Sequence, residues 1–267
     1  MDLISLSAFD LSLAAILVLL LAGLSSWMRL GVERSLLVAA ARTVVQLLLI
    51  GLVLKAVFTN IHLLWMIIIA LVMLLVAGRE VMMRQHRRFK GIWGFGLGTT
   101  SMFISTFTVT LLSLTMVINA QPWYAPQYAI PLLGMMFGNT MNGIALGLDR
   151  LTQTAWQSRT IIEGRLILGY NWRDAIGDIH RDSVRAGLIP IINAMAVAGV
   201  VSLPGMMTGQ ILAGARPMDA VNYQILIMFM IAAGTGFGTV VAVTFGARRL
   251  FDHRERLRLD RLAKGGQ

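Results

Sequence analysis

The stretch from Leu148 to Pro190 reads LDRLTQTAWQSRTIIEGRLILGYNWRDAIGDIHRDSVRAGLIP and is the longest polar interval of the chain. In the whole sequence, 57% of the 267 residues are hydrophobic and only 13% are charged. This composition exceeds what a soluble domain tolerates and is typical of a multi-pass membrane protein. A long water-facing segment between membrane spans is therefore expected to contact a soluble partner rather than to act as a spacer.

Seven apolar runs are long enough to cross about 30 Å of hydrocarbon as helices, which predicts an all-α membrane protein. The runs cover residues 9–28, 36–58, 61–77, 93–118, 128–148, 186–203 and 222–246, and the third is short for a span. We expect one transmembrane domain over residues 1–247, which includes a water-facing segment at 149–187. A basic tail at 248–267 follows it.

The distribution of Lys and Arg predicts the orientation of the spans. Twenty of the 23 basic residues fall in alternate intervals between the apolar runs, and the exceptions are Arg42, Lys55 and Arg216. The positive-inside rule makes the basic side cytoplasmic. The N-terminus is then outside, whereas the C-terminus and the segment 149–187 are cytoplasmic. The basic tail is interpreted as a topology anchor that is also able to touch anionic lipid.

The composition excludes several kinds of site. The chain has no Cys, so it has no disulfide, thiolate metal site or Cys nucleophile. Three of its four His lie in the cytoplasmic intervals and His62 lies at the outer boundary of the third run, and the runs hold no Asp or Glu except near their ends, so no tight transition-metal site is expected in the spans. Topology explains the net charge of +10, so no nucleic acid partner is expected.

The first part of the polar interval, residues 151–168, predicts an amphipathic helix. Gly169 then supplies a stop at the C-terminus of that helix. Four apolar residues share one face of it: Leu151, Ala155, Ile162 and Leu166.

A second helix is predicted to begin at Trp172, because Asn171 is a suitable N-cap and Asp174 lies in an acidic first turn. It continues into the membrane near Leu188-Ile-Pro190. Its apolar stripe consists of Trp172, Ile176 and Ile179. Its charged face, with pairs of opposite sign three residues apart, consists of Asp174, Asp178, Arg181, Asp182 and Arg185.

Several motifs resemble known transporters. The pattern Glu163-Gly164-x-x-x-Leu168-Gly169, with the Arg/Asp-rich helix and Pro190 after it, is similar to the coupling segment of ABC-transporter permeases, although its Gly to Pro spacing is longer than in many importers. Other segments resemble the permease subunit of the bacterial iron-export ABC transporter family, whose plant relatives are tied to aluminium tolerance. They are GMMFGNTM at 134–141, RDSVRAGLIP at 181–190, SLPGMMTG at 202–209 and Tyr223-Gln224-Ile225.

The resemblance implies a permease subunit that exports iron or a related metal across the bacterial inner membrane. Such a chain pairs with itself and binds a separate ATPase dimer, which carries the ATP and Mg²⁺. The sequence agrees, because it has no Gly-Lys dipeptide and hence no Walker A loop. No catalytic, cofactor or metal residue is therefore expected in this chain. The residues expected to couple to the ATPase are Glu163, Gly169, Asp174, Asp178, Arg181, Asp182 and Arg185.

Polar groups at membrane depth are costly, which makes those in the spans candidates for a substrate path. The candidates are Arg42, Gln46, Asn139, Asn142, Asn193, Met206 and Met207. Interhelical hydrogen bonds are an alternative role for the Asn residues, snorkelling for Arg42 and packing for the Met residues. Pro204 and Gly205 break the helix, so residues 203–216 form either a re-entrant turn or an exposed hairpin.

Two other functional classes stay open, both without an ATPase partner. A secondary transporter usually couples to ions through carboxylates in the membrane, and none is evident in the spans. A membrane-embedded enzyme needs an acid, base or nucleophile constellation. Asp178, His180 and Asp182 are close in sequence, but on a helix they point in different directions.

Overall fold

The computed structural model describes residues 7–59, 62–119 and 121–263. The described residues contain no strand, which confirms the all-α fold. A π-helical turn at Ser113–Val117 extends α4, and a short 3-10 helix lies at Leu259–Arg261. The α-helices are α1 (Ala8–Trp27), α2 (Glu33–Thr59), α3 (Leu63–Met83), α4 (Ile92–Leu112), α5 (Pro126–Gln157), α6 (Arg159–Ile167), α7 (Trp172–Val197), α8 (Gly205–Leu212) and α9 (Pro217–Arg249).

Six helices in the described part of the chain are long and apolar enough to cross a membrane. They cover Phe9–Trp27, Glu33–Thr59, Leu63–Met83, Ile92–Val117, Pro126–Gln157 and Pro217–Arg249. The third is longer than the run at 61–77 suggested. The run expected at 186–203 is instead the second half of α7, which continues unbroken through Pro190 and ends at Val197. The charged first half of α7 makes this helix too polar to count among the six apolar helices of membrane-spanning length.

The chain divides into two compact units, and the smaller one contains α1 and α2. A capping box begins α1, because the Ser7 hydroxyl accepts from the Asp10 backbone and the Asp10 carboxylate accepts from the Ser7 backbone. The turn between the two helices is held by a 3.4 Å hydrogen bond from Ser25 Oγ to Glu33 Oε2. These two helices therefore form a hairpin with a locally defined start and turn.

In the larger unit, α5, α7 and α9 meet at glycine and threonine. A Cβ added at Gly187 of α7 would lie 2.5 Å from the carbonyl oxygen of Gly143 in α5, and one added at Gly143 would lie 2.8 Å from Thr239 Oγ1 in α9. Such contacts are open only to glycine, so the three backbones approach closely where no hydrophobic effect drives association in lipid. Gly147 contributes to the same packing, whereas Gly205 and Gly209 have nothing within 4 Å of their missing Cβ atoms.

Helix α7 runs antiparallel to α9, and their contacts define a register. Leu188 lies next to Gly236, His180 Nε2 is 3.0 Å from Thr244 Oγ1, and the Arg248 guanidinium stacks over the Trp172 ring. The charged half of α7 therefore lies beside the last third of α9, and both reach the same Arg-rich end of the unit.

After α9 the chain folds back over this end. Leu250, Phe251, Leu259 and Leu262 are buried in the main core. The backbone N–H of Lys90 donates to the Arg261 carbonyl, and that of Ala263 donates to the Arg88 carbonyl, each at 2.8 Å. The basic tail thus also contains buried apolar residues. Together with the two backbone bonds, they connect the end of α9 to the loop between α3 and α4.

Candidate functional site

The turn between α6 and α7 is a helical elbow centred on Gly169. Gly169 has φ +89°, and its N–H donates to the Leu166 carbonyl at 3.1 Å while the Tyr170 N–H donates to the Arg165 carbonyl at 3.1 Å. These two bonds form a Schellman motif, for which glycine is the usual residue. On the other side, the Asn171 side chain accepts from the Asp174 N–H at 3.0 Å and begins α7. The helix stop and N-cap predicted here are confirmed.

The prediction of a single helix over residues 151–168 is wrong in one respect, because this range belongs to two helices. Residues up to Gln157 belong to α5, and Ser158 leaves the helical region with φ −94° and ψ 20° before α6 begins. Ser has a weaker helix propensity than its neighbours because its side chain competes with helical bonding. The apolar face nevertheless continues across the break, since Leu151, Ala155 and Ile162 are buried and Leu166 packs against them.

The tip of the elbow carries large apolar side chains that nothing in the described structure covers. Ile167 is 86% exposed, Leu168 77% and Tyr170 53%. These three residues, here called the apolar tip, lie at the end of the unit that also holds the Arg-rich segments. Apolar side chains at such a charged end mark a contact with another molecule.

Arg165 joins the two helices of the elbow, a role that the sequence pattern did not indicate. Its guanidinium donates to the Ala175 carbonyl and to Asp178 Oδ2, each at 3.1 Å. Asp178 also accepts from Arg181, so one carboxylate holds two arginines. In α6, Glu163 Oε1 accepts from Arg159 Nε at 2.8 Å.

The residues predicted to couple to an ATPase occupy two places rather than one. Glu163, Gly169 and Asp174 lie at the elbow. The others, Asp178, Arg181, Asp182 and Arg185, follow the exposed side of α7, with Asp182 bonded to Arg185 at 3.1 Å. At 1.5 Å per residue, Arg185 lies about 20 Å along the helix from Trp172. The structure therefore separates an elbow group from a group on the stem of α7.

The tail forms a second wall beside the elbow. Phe251 pairs with Leu257, and the backbone N–H groups of Arg254 and Arg256 both donate to Asp252 Oδ1 at 2.9 Å. The bond from Arg256 holds the pKa of Asp252 below its ordinary value. Glu255, at φ +58°, accepts from the Trp172 backbone N–H at 3.2 Å. This turn of residues 252–256 is therefore fixed to the first residue of α7.

Between the elbow and this turn lies an open cleft of about 620 Å³. Its lining residues are Glu163, Leu166, Ile167, Gly169, Tyr170, Arg254, Glu255, Arg256 and Leu257. Further along the tail, a two-point hydrogen bond from Arg258 lowers the pKa of Asp260 to about 2. The cleft thus combines an apolar centre with charged groups on a firmly folded support.

The candidate substrate-path residues lie on four helices, α2, α5, α7 and α8. Arg42 and Gln46 lie one turn apart on the exposed surface of α2, and Met206 and Met207 are half-buried in α8. Asn139 donates to the Met135 carbonyl at 2.8 Å, and Asn142 accepts from Arg84. Asn193 is exposed on α7.

The loop between α3 and α4 is bound to α5 through a carboxylate that the sequence did not single out. Asp149 Oδ1 accepts from the His86 backbone N–H at 2.7 Å, and its Oδ2 accepts from Gln153 Nε2 at 2.8 Å. Arg87 stacks over the Trp156 ring at 4.1 Å. Within residues 7–59, 62–119 and 121–263, no group of three His, Asp or Glu could hold a metal ion.

Six apolar helices of membrane-spanning length define a multi-pass membrane protein. The chain belongs to the uncharacterised protein family UPF0014, whose model matches residues 8–251. It is 38% identical over 234 residues to a UPF0014 membrane protein of Synechocystis, covering 88% of this chain and 90% of that protein.

The names of two other relatives refer to metals. The chain is 30% identical over 260 residues to the probable iron export permease protein FetB of Escherichia coli, covering 96% of both chains. It is 31% identical over 232 residues to the protein ALUMINUM SENSITIVE 3 of Arabidopsis thaliana, covering 86% of this chain and 82% of that protein. No solved structure matches the chain.

Proposed function

We propose that this chain is the permease subunit of an ATP-driven ABC transporter of the bacterial inner membrane. It works as a homodimer and couples to a separate ATPase dimer, which binds ATP and Mg²⁺. The observation that carries the proposal is the apolar tip of the elbow, a group of uncovered apolar side chains at the charged end of the unit. A soluble partner that buries Ile167, Leu168 and Tyr170 accounts for their exposure.

The proposed topology has seven spans, with the second half of α7 as the sixth. Residues 186–203 contain no charged side chain, and they comprise the last 12 residues of α7 and the turn that leads to α8. An odd number of spans puts the two termini on opposite sides, and we propose the cytoplasm for the C-terminus because the basic residues lie on its side. The elbow, the tail and the loop between α3 and α4 then share the cytoplasmic side, as the positive-inside rule requires.

The proposed substrate is iron or a related metal, moved outwards. The name of the Escherichia coli relative supports this proposal over nearly the full length of both chains. The candidate path residues offer amide oxygens and thioethers rather than carboxylates, so we propose weak, transient coordination or passage of a chelated metal. Asn193 is the candidate on α7, where it lies exposed in the uncharged half of the helix.

The function is tested with the purified chain and the ATPase encoded beside it. We expect the pair to form a complex and to hydrolyse ATP, and we expect iron to accumulate in inverted vesicles that contain both. Glu163→Ala combined with Gly169→Pro should abolish ATPase binding while membrane insertion persists. Iron transport by the chain alone would contradict the proposal and favour a secondary transporter, and a pull-down unaffected by the double variant would contradict the docking site.

A further inference from the structure

We infer that the turn of residues 252–256 is the second half of the docking surface, and that Arg254 and Arg256 recognise an acidic rim on the ATPase. This inference rests on the proposed function and adds the chemistry of the partner surface. The elbow alone supplies an apolar contact. The turn beside it adds positive charge at a fixed position.

The position of the turn is determined by several bonds. The Asp252 carboxylate closes the turn by accepting from two backbone N–H groups, and the Arg258 N–H donates to the Leu250 carbonyl at 2.7 Å. Glu255 then ties the turn to Trp172 at the start of α7. Phe251 and Leu257 also pack on the core beneath the turn, which fixes its position beside the elbow.

The two carboxylates and the two arginines that line the cleft balance in formal charge, but only the carboxylates have a hydrogen-bond or ion-pair partner among the described residues. The Glu163 carboxylate is occupied by Arg159, and the Glu255 carboxylate by the Trp172 amide. The Arg254 and Arg256 residues are exposed, and their guanidinium groups have no hydrogen bond or ion pair with any described residue. The surface that enters the cleft therefore needs an apolar centre, to meet Ile167 and Tyr170, and carboxylates at its edge.

The arrangement favours a protein partner over lipid headgroups. Leu166 and Ile167 line the same cleft as the two arginines, and charged lipid headgroups offer these apolar side chains no apolar contact. The cleft is also concave, as expected for a site that receives a projection of a folded partner.

Three single charge reversals test the inference: Arg254→Glu, Arg256→Glu and, as a matched control, Arg150→Glu, an exposed residue of α5 outside the cleft. Each permease is placed in nanodiscs of uncharged lipid, and its affinity for the purified ATPase is measured at several salt concentrations. We expect Arg254→Glu and Arg256→Glu each to weaken binding roughly tenfold and to flatten the salt dependence, because rim charges steer association. Arg150→Glu should bind as the unaltered chain does.

The outcomes separate the inference from the proposed function. If the unaltered chain binds the ATPase and all three variants bind equally well, the inference is overturned while the proposed function stands. If the unaltered chain binds no ATPase, both are overturned. If the reversals weaken binding only in nanodiscs with anionic lipid, the two arginines contact the membrane instead, which also overturns the inference.

Discussion

Glu255 accepts a hydrogen bond from the backbone N–H of Trp172 at 3.2 Å, across a separation of 83 residues in sequence. The bond satisfies one of the free N–H groups in the first turn of α7 and places a carboxylate at the positive end of its dipole. The segment after α9 and the elbow are thereby joined at one point.

Replacing Glu255 should loosen that junction. Glu255→Ala leaves the Trp172 N–H without this acceptor, and we expect a loss of about 1 kcal/mol in the free energy of unfolding. Glu255→Gln keeps an acceptor oxygen and should lose less. Thermal unfolding in one detergent compares the two, and equal stability of Glu255→Ala and the unaltered chain would show that the bond contributes nothing.

Gly187→Ala should destabilise the larger unit by about 2 kcal/mol, because the added Cβ meets the Gly143 carbonyl oxygen and the backbone has to shift. Gly138→Ala in α5 is the matched control, since nothing lies within 4 Å of its missing Cβ. Thermal unfolding or protease resistance in detergent measures both. A Gly187→Ala protein as stable as Gly138→Ala would contradict the close approach of α5 and α7.

Gly169→Ala should cost about 1 kcal/mol, because φ +89° is unfavourable for a residue with a Cβ. Gly164→Ala lies within α6 with nothing near its missing Cβ and should be neutral or stabilising. Hydrogen exchange of residues 159–170 is the direct measurement. We expect faster exchange in Gly169→Ala alone, and similar exchange in both variants would argue against a conformational role for this glycine.

Arg165→Ala should separate α6 from α7, because the Ala175 carbonyl and Asp178 both lose their donor from α6. Arg185→Ala removes a guanidinium that bonds only within α7, to Asp182, and should leave the elbow unchanged. Fluorescence of a probe at the elbow, or hydrogen exchange of α6, distinguishes them. Unchanged exchange in Arg165→Ala would mean that the apolar face alone holds α6 in place.

The absence of Cys makes the proposed topology directly testable. Ile167→Cys and Val200→Cys both introduce thiols at exposed positions, on either side of the proposed sixth span. A membrane-impermeant maleimide should label Val200→Cys in intact cells and Ile167→Cys only after permeabilisation. Labelling of both from the same side would mean that α7 does not cross the membrane.

Local features of this chain could be predicted from the sequence, because their causes lie within a few residues. Asn171 and Gly169 mark helix ends through their own side-chain and backbone preferences, and the apolar face of Ile162 and Ile176 follows from helical periodicity. The fold-back of the tail could not be predicted in this way. The tail is rich in arginine, so its charge count predicts an exposed segment. Its apolar residues nevertheless pack against core residues far away in sequence: Phe251, Leu257, Leu259 and Leu262.

The candidate site was predictable to a similar extent. The elbow was placed correctly, but the charged residues of α7 were assigned to it as one group. Their separation into elbow and stem follows from the length of α7, because Arg185 lies about 20 Å along the helix from Trp172. Arg165 and Glu255 were missed because each acts on a backbone group, which the sequence pattern does not reveal.

Helix α9 is 33 residues long, or about 50 Å of continuous rod. Its last turn is connected through the tail to the first residue of α7, which runs in the opposite direction beside it. A rotation of the elbow by roughly 5° would therefore displace the far end of that rod by about 4 Å. With this linkage, a small movement at the Arg-rich end becomes a displacement of about 4 Å at the opposite end, without any helix having to unwind.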